Sequence, residues 1–386
     1  MRNAHLYRPG GVTLRAICRL LVLLLLAVAW GNSSAASGQA SGERTAAETL
    51  HLPAAEPAEA SSSLIVHAAL DMPQARPLLK AFHRRYPQIE VRYRNMTTLG
   101  LYERFLEDPG GADVVISSAM PWQFSLANDG YAQSPEAGLL AHWPDWAHWR
   151  RELVAFTFEP IVMVYHPKLM ELADPPANHA QLLALLHKQK SALQGRVATY
   201  DPAKSGAGYG YAVEESRLSP RYWELVAGLG SVNAELNTTT AQTLRGLAEG
   251  RYWLGYNLLG SYARAFVDEH SELELVIPDD YALVVQRLAF MAKQAPHPEA
   301  ARLFMGFLVS KEGQQVIATE TTLGAIHPEV RGSGSAAKLR TEMGAAVRPV
   351  ELNPQLLAAL DRLKRRALLT RWRREFHRES EAEAAE

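Results

Sequence analysis

The sequence LIVHAALDMPQARPLLKAFHRRYPQIEVRY, at residues 64–93, decides the fold. Its apolar run at 64–69 predicts a buried strand, and the stretch at 74–86 predicts a helix. A second strand is predicted at 89–93 and, after another helical stretch, a third at 113–117. Strands that alternate with helices at this spacing are typical of βαβ units and a parallel sheet.

The loops after these strands predict part of a binding site, because ligands of open parallel sheets bind at the carboxyl ends of the strands. The loops carry small or hydroxyl-bearing residues, and the ligand contacts expected from them are Ala69, Thr98, Ser117 and Ser118. The two serines have a second interpretation. They precede a predicted helix around 122–126, and they would serve equally well as its caps.

A glycine-rich loop is the sharpest local signal in the chain. A strand predicted at 196–200 leads into DPAKSGAGYGY at 201–211, which opens a helix. Backbone amides and the helix dipole favour an anion there. The contacts expected from this loop are Ser205, Gly206, Ala207 and Gly208. The spacing matches neither the P-loop nor the dinucleotide fingerprint. The alternative is that the glycines only let the helix pack closely on the sheet.

Two further strands carry candidate contacts. The strand predicted at 253–262 includes Asn257, Ser261 and Tyr262, which supply hydrogen bonds and an aromatic ring. The long strand predicted at 156–167 contains a proline, which marks an edge or a crossing point, and Thr157 lies at this point.

Charge, cysteine usage and missing motifs disfavour several classes of function. The formal net charge is -1, so no global basic field favours nucleic acid. The single cysteine, Cys18, lies in the amino-terminal apolar region, so the remainder holds no disulfide or thiolate site. The chain has no nucleophile elbow and no zinc-protease motif, and GSGS at 332–335 lies in a polar loop. We therefore expect no enzyme activity.

The first 36 residues have the layout of a cleaved secretory signal peptide. Four arginines precede an apolar run at 20–30, and small residues follow. A membrane-spanning helix needs about 20 apolar residues, so a permanent anchor is the weaker interpretation. Residues 37–63 are poor in large apolar side chains and predict a flexible leader. The remainder is longer than one core usually supports, which predicts two domains.

Several segments then follow one another in a recognisable order. They are Phe156–Pro160, Asp201–Pro202 with Ser205–Gly206, Gly255–Asn257 with Gly260–Tyr262, and His297–Ala301 followed by Phe307–Gln314. From about residue 64 to 350, this order resembles the periplasmic solute-binding proteins of ABC importers. The resemblance is strongest to the branch that includes ferric-iron-binding, sugar-phosphate-binding and phosphoglycerate transport regulatory proteins.

The resemblance implies an α/β, two-lobed periplasmic-binding-protein fold of type II. Each lobe is a mainly parallel sheet flanked by helices, and the ligand cleft lies between the lobes. One lobe would comprise 64–158 plus 287–386 and the other 159–286, with hinge crossings near Thr157 and Val285. With a signal peptide cleaved near Ala36, the protein would be periplasmic.

The ligand expected from the cleft is a small anionic organic solute, such as a phosphorylated sugar, phosphoglycerate or carboxylate, because hydroxyls and helix amides suit these oxygens. Ferric members of the family use a pair of adjacent tyrosines. This chain has Tyr262 alone in the matching stretch, which disfavours iron, so iron is kept only as an alternative. A lone His67 is more often structural than a ligand. We expect no cofactor, no metal site, no nucleic-acid partner and a monomer. The partner would be an inner-membrane ABC permease or, alternatively, a sensor kinase.

The carboxyl-terminal stretch at 354–376 predicts an amphipathic helix. Leucines and Trp372 recur at helical spacing, with basic residues between them. Such a helix either packs its apolar face on the first lobe or docks on a membrane surface or a partner. We expect packing on the first lobe.

Overall fold

The computed structural model describes residues 48–55, 62–135 and 138–378. The expected signal peptide and most of the expected leader lie outside the described residues. Part of the leader prediction is wrong, because Thr49–Leu52 forms a strand paired antiparallel with the strand Ile89–Asn95. The TLHL sequence supplies backbone groups that complete the exposed edge of a sheet.

The strands belong to two sheets. They are β1 (Thr49–Leu52), β2 (Ser62–Ala68), β3 (Ile89–Asn95), β4 (Val114–Ser117), β5 (Ala132–Gln133), β6 (His148–Trp149), β7 (Leu153–Ala155), β8 (Glu159–Tyr165), β9 (Val197–Tyr200), β10 (Glu235–Asn237), β11 (Leu254–Leu259), β12 (Glu274–Val276), β13 (Ala282–Val285), β14 (Leu288–Ala292) and β15 (Val347–Pro349). The first sheet has the order β1-β3-β2-β4-β14-β7-β6, with β5 beside β14. The second has the order β10-β9-β11-β8-β13-β15, with β12 beside β8.

The helices flank these sheets. They are α1 (Met72–Arg85), α2 (Thr98–Glu107), α3 (Met120–Asn128), α4 (His179–Lys188), α5 (Gly206–Leu218), α6 (Tyr222–Ser231), α7 (Thr240–Ala248), α8 (Gly260–Glu269), α9 (Pro298–Val309), α10 (Lys311–Glu320), α11 (Ala336–Met343), α12 (Gln355–Leu360) and α13 (Arg362–Phe376). Short 3-10 turns occur at Asp145–Ala147, Pro167–Leu169 and Gly344–Ala346. In the described part of the chain, no helix combines the length and apolar character of a membrane span.

Each sheet contains parallel strand pairs, as the βαβ pattern predicts. Strand β2 runs parallel to both β3 and β4, and β9 runs parallel to both β10 and β11. Two strands that begin just after a crossing between the sheets pair antiparallel with their neighbours. Strand β14 pairs antiparallel with β4 and β7, and β8 pairs antiparallel with β11 and β13. The predicted fold class of two α/β lobes, each a sheet flanked by helices, is therefore confirmed, but the sheets are mixed rather than mainly parallel.

Two of the points where the chain crosses between the sheets lie side by side. The chain leaves the first sheet after Ala155 and enters the second at Glu159, then leaves the second after Val285 and enters the first at Leu288. The apolar run at 283–290 is divided at this crossing into β13 and β14. The exact lobe boundaries stay a prediction, because β15 lies far along the chain and still pairs with β13.

The segment that carried the family resemblance joins a helix pair to the first crossing. Ser310 caps α10 by accepting a hydrogen bond from Gly313 N at 3.0 Å. A Cβ at Gly313 would lie 2.0 Å from Phe307 O, so only glycine allows this close approach. The fully buried Gln314 donates from Nε2 to Phe156 O at 3.0 Å. The motif therefore fixes the position of the crossing strand.

The carboxyl-terminal stretch forms two helices rather than one. Asp361 lies between the two helices and caps α13, accepting hydrogen bonds from Leu363 N and Lys364 N. The apolar residues Trp372 and Phe376 belong to a core cluster with Tyr222 and Leu225 of α6. The expectation that this stretch packs on the first lobe is confirmed for α12, whose Leu356 is buried in the core of the first sheet, and is wrong for α13, whose rings fill an apolar groove on α6 beside the second sheet.

Candidate functional site

Three helix amino termini meet between the lobes. Helices α2 and α3 belong to the first lobe and α5 to the second, and all three begin at this point. Gly206 N donates to Thr98 Oγ1 at 3.1 Å. A Cβ at Gly206 would lie 3.0 Å from Thr98 Oγ1 and 3.2 Å from the Ala119 Cβ, so the lobes approach closely because residue 206 has no side chain.

Hydroxyl side chains fix each of these helix ends. Ser205 Oγ accepts from Gly208 N at 3.1 Å, and Thr97 Oγ1 accepts from Gly100 N at 3.2 Å. Ser117 Oγ accepts from Ala119 N at 3.1 Å, and Ser118 beside it is buried. First-turn amides of a helix have no acceptor within the helix, so each end carries partial positive charge. The meeting point therefore has a positive potential.

A buried ion pair lies where the chain crosses between the lobes. Arg287 Nε is 3.1 Å from Glu159 Oε1, and Nη2 is 3.1 Å from Oε2, so the pair is bidentate. Both side chains have 0 % exposure. Thr157 Oγ1 donates to Glu159 at 2.7 Å and accepts from Arg287 N at 2.8 Å, which fixes the two crossing segments to each other.

The ion pair also contacts each lobe. Arg287 donates from Nη1 to Ala69 O, at the end of the first-sheet strand β2. Ser261 Oγ, in the first turn of α8, donates to Glu159 Oε2. The next residue, Tyr262, accepts at its hydroxyl from Asp71 N at 2.8 Å. These contacts bring together residues from both sheets and from both crossings.

The acidic groups here carry little free negative charge. Glu159 is matched by Arg287, and Glu159 raises the pKa of that guanidinium although burial acts in the opposite direction. Burial raises the pKa of Asp71, which favours its neutral form. Burial also raises the pKa of Tyr262, and the nearby Asp71 adds to this effect, so its phenol stays protonated at neutral pH. Pairing with Arg287 thus compensates the charge of Glu159, and burial shifts Asp71 toward its neutral form.

Buried tyrosines connect the helix ends with the ion pair. Tyr200 lies against Gly208, hydrogen-bonds Thr240 Oγ1 at 2.7 Å, and has its pKa raised to about 12, mainly by burial. Its ring centroid is 5.6 Å from that of Tyr211. The Tyr211 hydroxyl is buried and has no hydrogen-bond partner among the described residues. A buried hydroxyl without a partner is costly, so Tyr211 is a candidate contact for a ligand or water.

Asn257 belongs to a different polar cluster, inside the second lobe. It lies in a bulge of β11 with φ +62°, and its Nδ2 donates to Glu215 Oε2 at 2.8 Å. His179 Nδ1 lies 2.8 Å from Asp280, and its Nε2 lies 3.5 Å from Glu215. Burial lowers the pKa of His179, but the two carboxylates raise it further, to about 9. The imidazole is therefore charged at neutral pH.

The structure places the predicted site residues in three groups. Ala69, Thr157, Ser261 and Tyr262 surround the ion pair, whereas Thr98, Ser117, Ser118, Ser205, Gly206, Ala207 and Gly208 lie at or beside the three helix ends. Asn257 hydrogen-bonds Glu215 and also lines a small cavity together with Tyr200, Gly208 and Tyr211. The cap interpretation of Ser117 and Ser118 is wrong, because the N-cap of α3 is Ala119 without a side-chain cap, and Ser117 Oγ accepts from Ala119 N, before the first helical residue. Ser261 and Tyr262 lie in a helix rather than in the predicted strand, because the chain turns at Gly260.

Sequence reasoning missed Arg287, Asp71 and Tyr211 as site residues. Arg287 and Glu159 are 128 positions apart, and only the parallel course of the two crossings joins them. One signal was present, since a proline follows Glu159 and an arginine interrupts the apolar run at 283–290. Lone His67 lies on β2, where burial, and then Arg94 and Arg104, lower its pKa to about 4.

Two lobes joined by paired crossings, with a polar site between them, define a two-lobed binding protein. The family model described as bacterial extracellular solute-binding protein matches residues 66–320. A sequence search of curated proteins finds no match. Among solved structures, the substrate-binding protein of an ABC transporter from Agrobacterium tumefaciens is 35% identical with a TM-score of 0.82, covering 86% of this chain and 98% of that one.

Two more distant structures share the fold. AfuA from Actinobacillus pleuropneumoniae, with exogenous fructose-6-phosphate bound, is 14% identical with a TM-score of 0.65, covering 82% of this chain and 99% of that one. Iron-bound HitA from Pseudomonas aeruginosa is 19% identical with a TM-score of 0.63, covering 81% and 99%. This chain belongs to the bacterial extracellular solute-binding protein family, whose members bind solutes for ABC importers.

Proposed function

We propose that this protein captures a small anionic organic solute between its lobes, with a phosphorylated sugar, a phosphoglycerate or a carboxylate as the candidates. The observation that carries the proposal is the meeting of three helix amino termini from both lobes at Thr98, Ala119 and Gly206. Each helix end is equivalent to roughly half a positive charge, so three ends present well over one charge. An anion bound beside this contact would offset their mutual repulsion.

The rest of the site is compatible with a negative ligand. Hydroxyls of Ser117, Ser118 and Ser205 lie at the helix ends, and Tyr211 offers a buried hydroxyl without a partner. Glu159 is paired with Arg287, and burial favours the neutral form of Asp71. A ligand that contacts the helix ends of both lobes gains its full interaction only when the lobes are together, which favours the closed arrangement.

We further propose that the protein acts in the periplasm as a monomer without catalysis or a cofactor, after removal of a signal peptide near Ala36. It would deliver its ligand to an inner-membrane ABC permease. Mass spectrometry of the exported protein tests the cleavage, and light scattering tests the oligomeric state. An intact amino terminus on the exported protein would contradict the signal-peptide part of the proposal.

A thermal-shift screen of the chain from residue 37 onward tests the ligand class. The probes are fructose 6-phosphate, 3-phosphoglycerate, succinate, spermidine and Fe(III) citrate, with citrate alone as the control for iron. A ligand at about 100 times its dissociation constant stabilises the folded state by about 2.7 kcal/mol. We expect stabilisation by phosphorylated or carboxylate compounds alone. Stabilisation only by spermidine or iron would overturn the anion proposal.

Matched serine variants locate the site. Ser205→Ala removes the hydroxyl at the amino terminus of α5, and we expect it to weaken ligand stabilisation. Ser216→Ala is the control, because Ser216 lies on the same helix and its hydroxyl donates only to Val213 O, at 2.8 Å. Equal loss of ligand response in both variants would contradict binding at the amino terminus of α5.

A further inference from the structure

The carboxyl-terminal helices contact both lobes. Helix α12 packs against α3, which flanks the first sheet, and Leu356 of α12 is buried in the core cluster of that sheet. Helix α13 packs against α6, which flanks the second sheet. Residues 354–378, called the strap from here on, therefore pass from one lobe to the other across the gap between them.

The strap is held firmly on the second lobe. Trp372 and Phe376 stack on each other, with ring centroids 4.9 Å apart, and both are buried in the α6 cluster. A Cβ at Gly230 of α6 would lie 1.7 Å from Phe376 O, so the two backbones touch. Arg371 lies over the Trp223 ring at 4.1 Å. These contacts do not involve the first lobe.

At the boundary between the lobes, the strap contacts one aromatic ring from each side. Trp122 of α3 and Tyr209 of α5 pack edge to face, with ring centroids 5.4 Å apart. The Arg365 guanidinium lies 5.9 Å from the Trp122 ring centroid and 5.6 Å from that of Tyr209. The Tyr209 hydroxyl donates to Ala359 O of the strap. Arg365 thus contacts an aromatic pair that exists only while the lobes are together.

We propose that the strap is a closure device, in which Arg365 stabilises the closed arrangement of the lobes. When the lobes separate, α13 stays on α6 and α12 stays on α3, so the contacts of Arg365 with Trp122 and of Tyr209 with Ala359 O are lost. A cation over an aromatic ring stabilises the arrangement that forms it, and the interaction strengthens as water is excluded. The closed state of the unliganded protein then has a larger population than it would have without the strap, and this raises the apparent affinity for the ligand. The proposal does not depend on which ligand binds.

Distance measurement between the lobes tests this proposal. Spin labels on Glu103→Cys of α2 and Glu235→Cys of β10, in a Cys18→Ser background, report lobe separation by pulsed electron resonance in the unliganded full chain. Both positions are exposed. The test variants are Arg365→Ala and Tyr209→Phe. The control is Arg366→Ala, which removes the adjacent, exposed arginine of the same helix.

We expect two populations in the wild type, and at least a threefold rise in the ratio of long to short distances in Arg365→Ala. Tyr209→Phe should shift the ratio in the same direction, and Arg366→Ala should leave it unchanged. Circular dichroism of each variant confirms that the fold is retained. A wild type with only long distances, or an Arg365→Ala distribution equal to that of the control, overturns the proposal.

Discussion

Arg287→Met should be among the most destabilising single substitutions in this protein. Arg287 and Glu159 are both fully buried and form two hydrogen bonds of 3.1 Å. Methionine has a similar length but carries no charge, so Glu159 would remain buried without its partner. Breaking a buried pair in this way costs about 3–5 kcal/mol. The loss of the hydrogen bond to Ala69 O adds to the effect.

Urea denaturation of the unliganded protein measures this cost. With a slope of about 3 kcal/mol per M, the midpoint falls by about 1 to 1.7 M. The double variant Glu159→Gln/Arg287→Met removes both charges, and it should cost clearly less than the sum of its single variants. Arg251→Met is the control, because Arg251 pairs with Glu249 at 2.6 Å on the surface and should cost under about 1 kcal/mol.

Two results would refute the reasoning about the pair. The first is an Arg287→Met variant that costs no more than the surface control. The second is a double variant whose cost equals the sum of the two single costs, since that additivity would mean that the residues do not interact across the crossing.

Three other substitutions have defined outcomes. The pKa of His179 is raised from 6.5 to about 9, so the charged imidazole stabilises the folded state by about 3 kcal/mol below pH 6.5, and this stabilisation is lost as the pH rises to 9. Urea titrations of His179→Gln should lack this loss. A pH profile identical to that of the wild type would contradict the assignment. Gly206→Ala should weaken ligand stabilisation in the thermal-shift assay and lower the free energy of unfolding by about 1–3 kcal/mol, because the new Cβ meets Thr98 and Ala119. Gly210→Ala is the control, because its Cβ has no contact closer than 3.9 Å, and it should be neutral in the same assay. Gln314→Leu should lower the free energy of unfolding by about 1–3 kcal/mol, because three buried backbone groups and one part-buried group lose their partner; an unchanged urea midpoint would contradict this role.

Local pattern predicted the elements that depend on local sequence. The three strands of the first βαβ units and the helix opened by Ser205 lie close to their predicted positions, because alternation, prolines and capping residues act within a few positions. The serines and glycines of the site were found by the same means, since they follow strands whose ends meet at one edge of a sheet.

The remainder depends on contacts between distant parts of the chain. Arg287 pairs with Glu159 only because two crossing segments run side by side, and no local pattern contains that fact. The strap was expected on the first lobe because amphipathicity shows which face is apolar but not which surface it covers. Trp372 and Phe376 instead fill a groove on α6.

The position of β14 has a consequence for how the chain reaches its native state. This strand lies between β4 and β7 in the first sheet, yet residues 288–292 follow every strand of the second sheet except β15. A growing chain that ends before Leu288 therefore has the two parts of its first sheet but not the strand that joins them. Such long-range pairing slows folding. The first sheet can therefore be completed only after most strands of the second sheet have been synthesised.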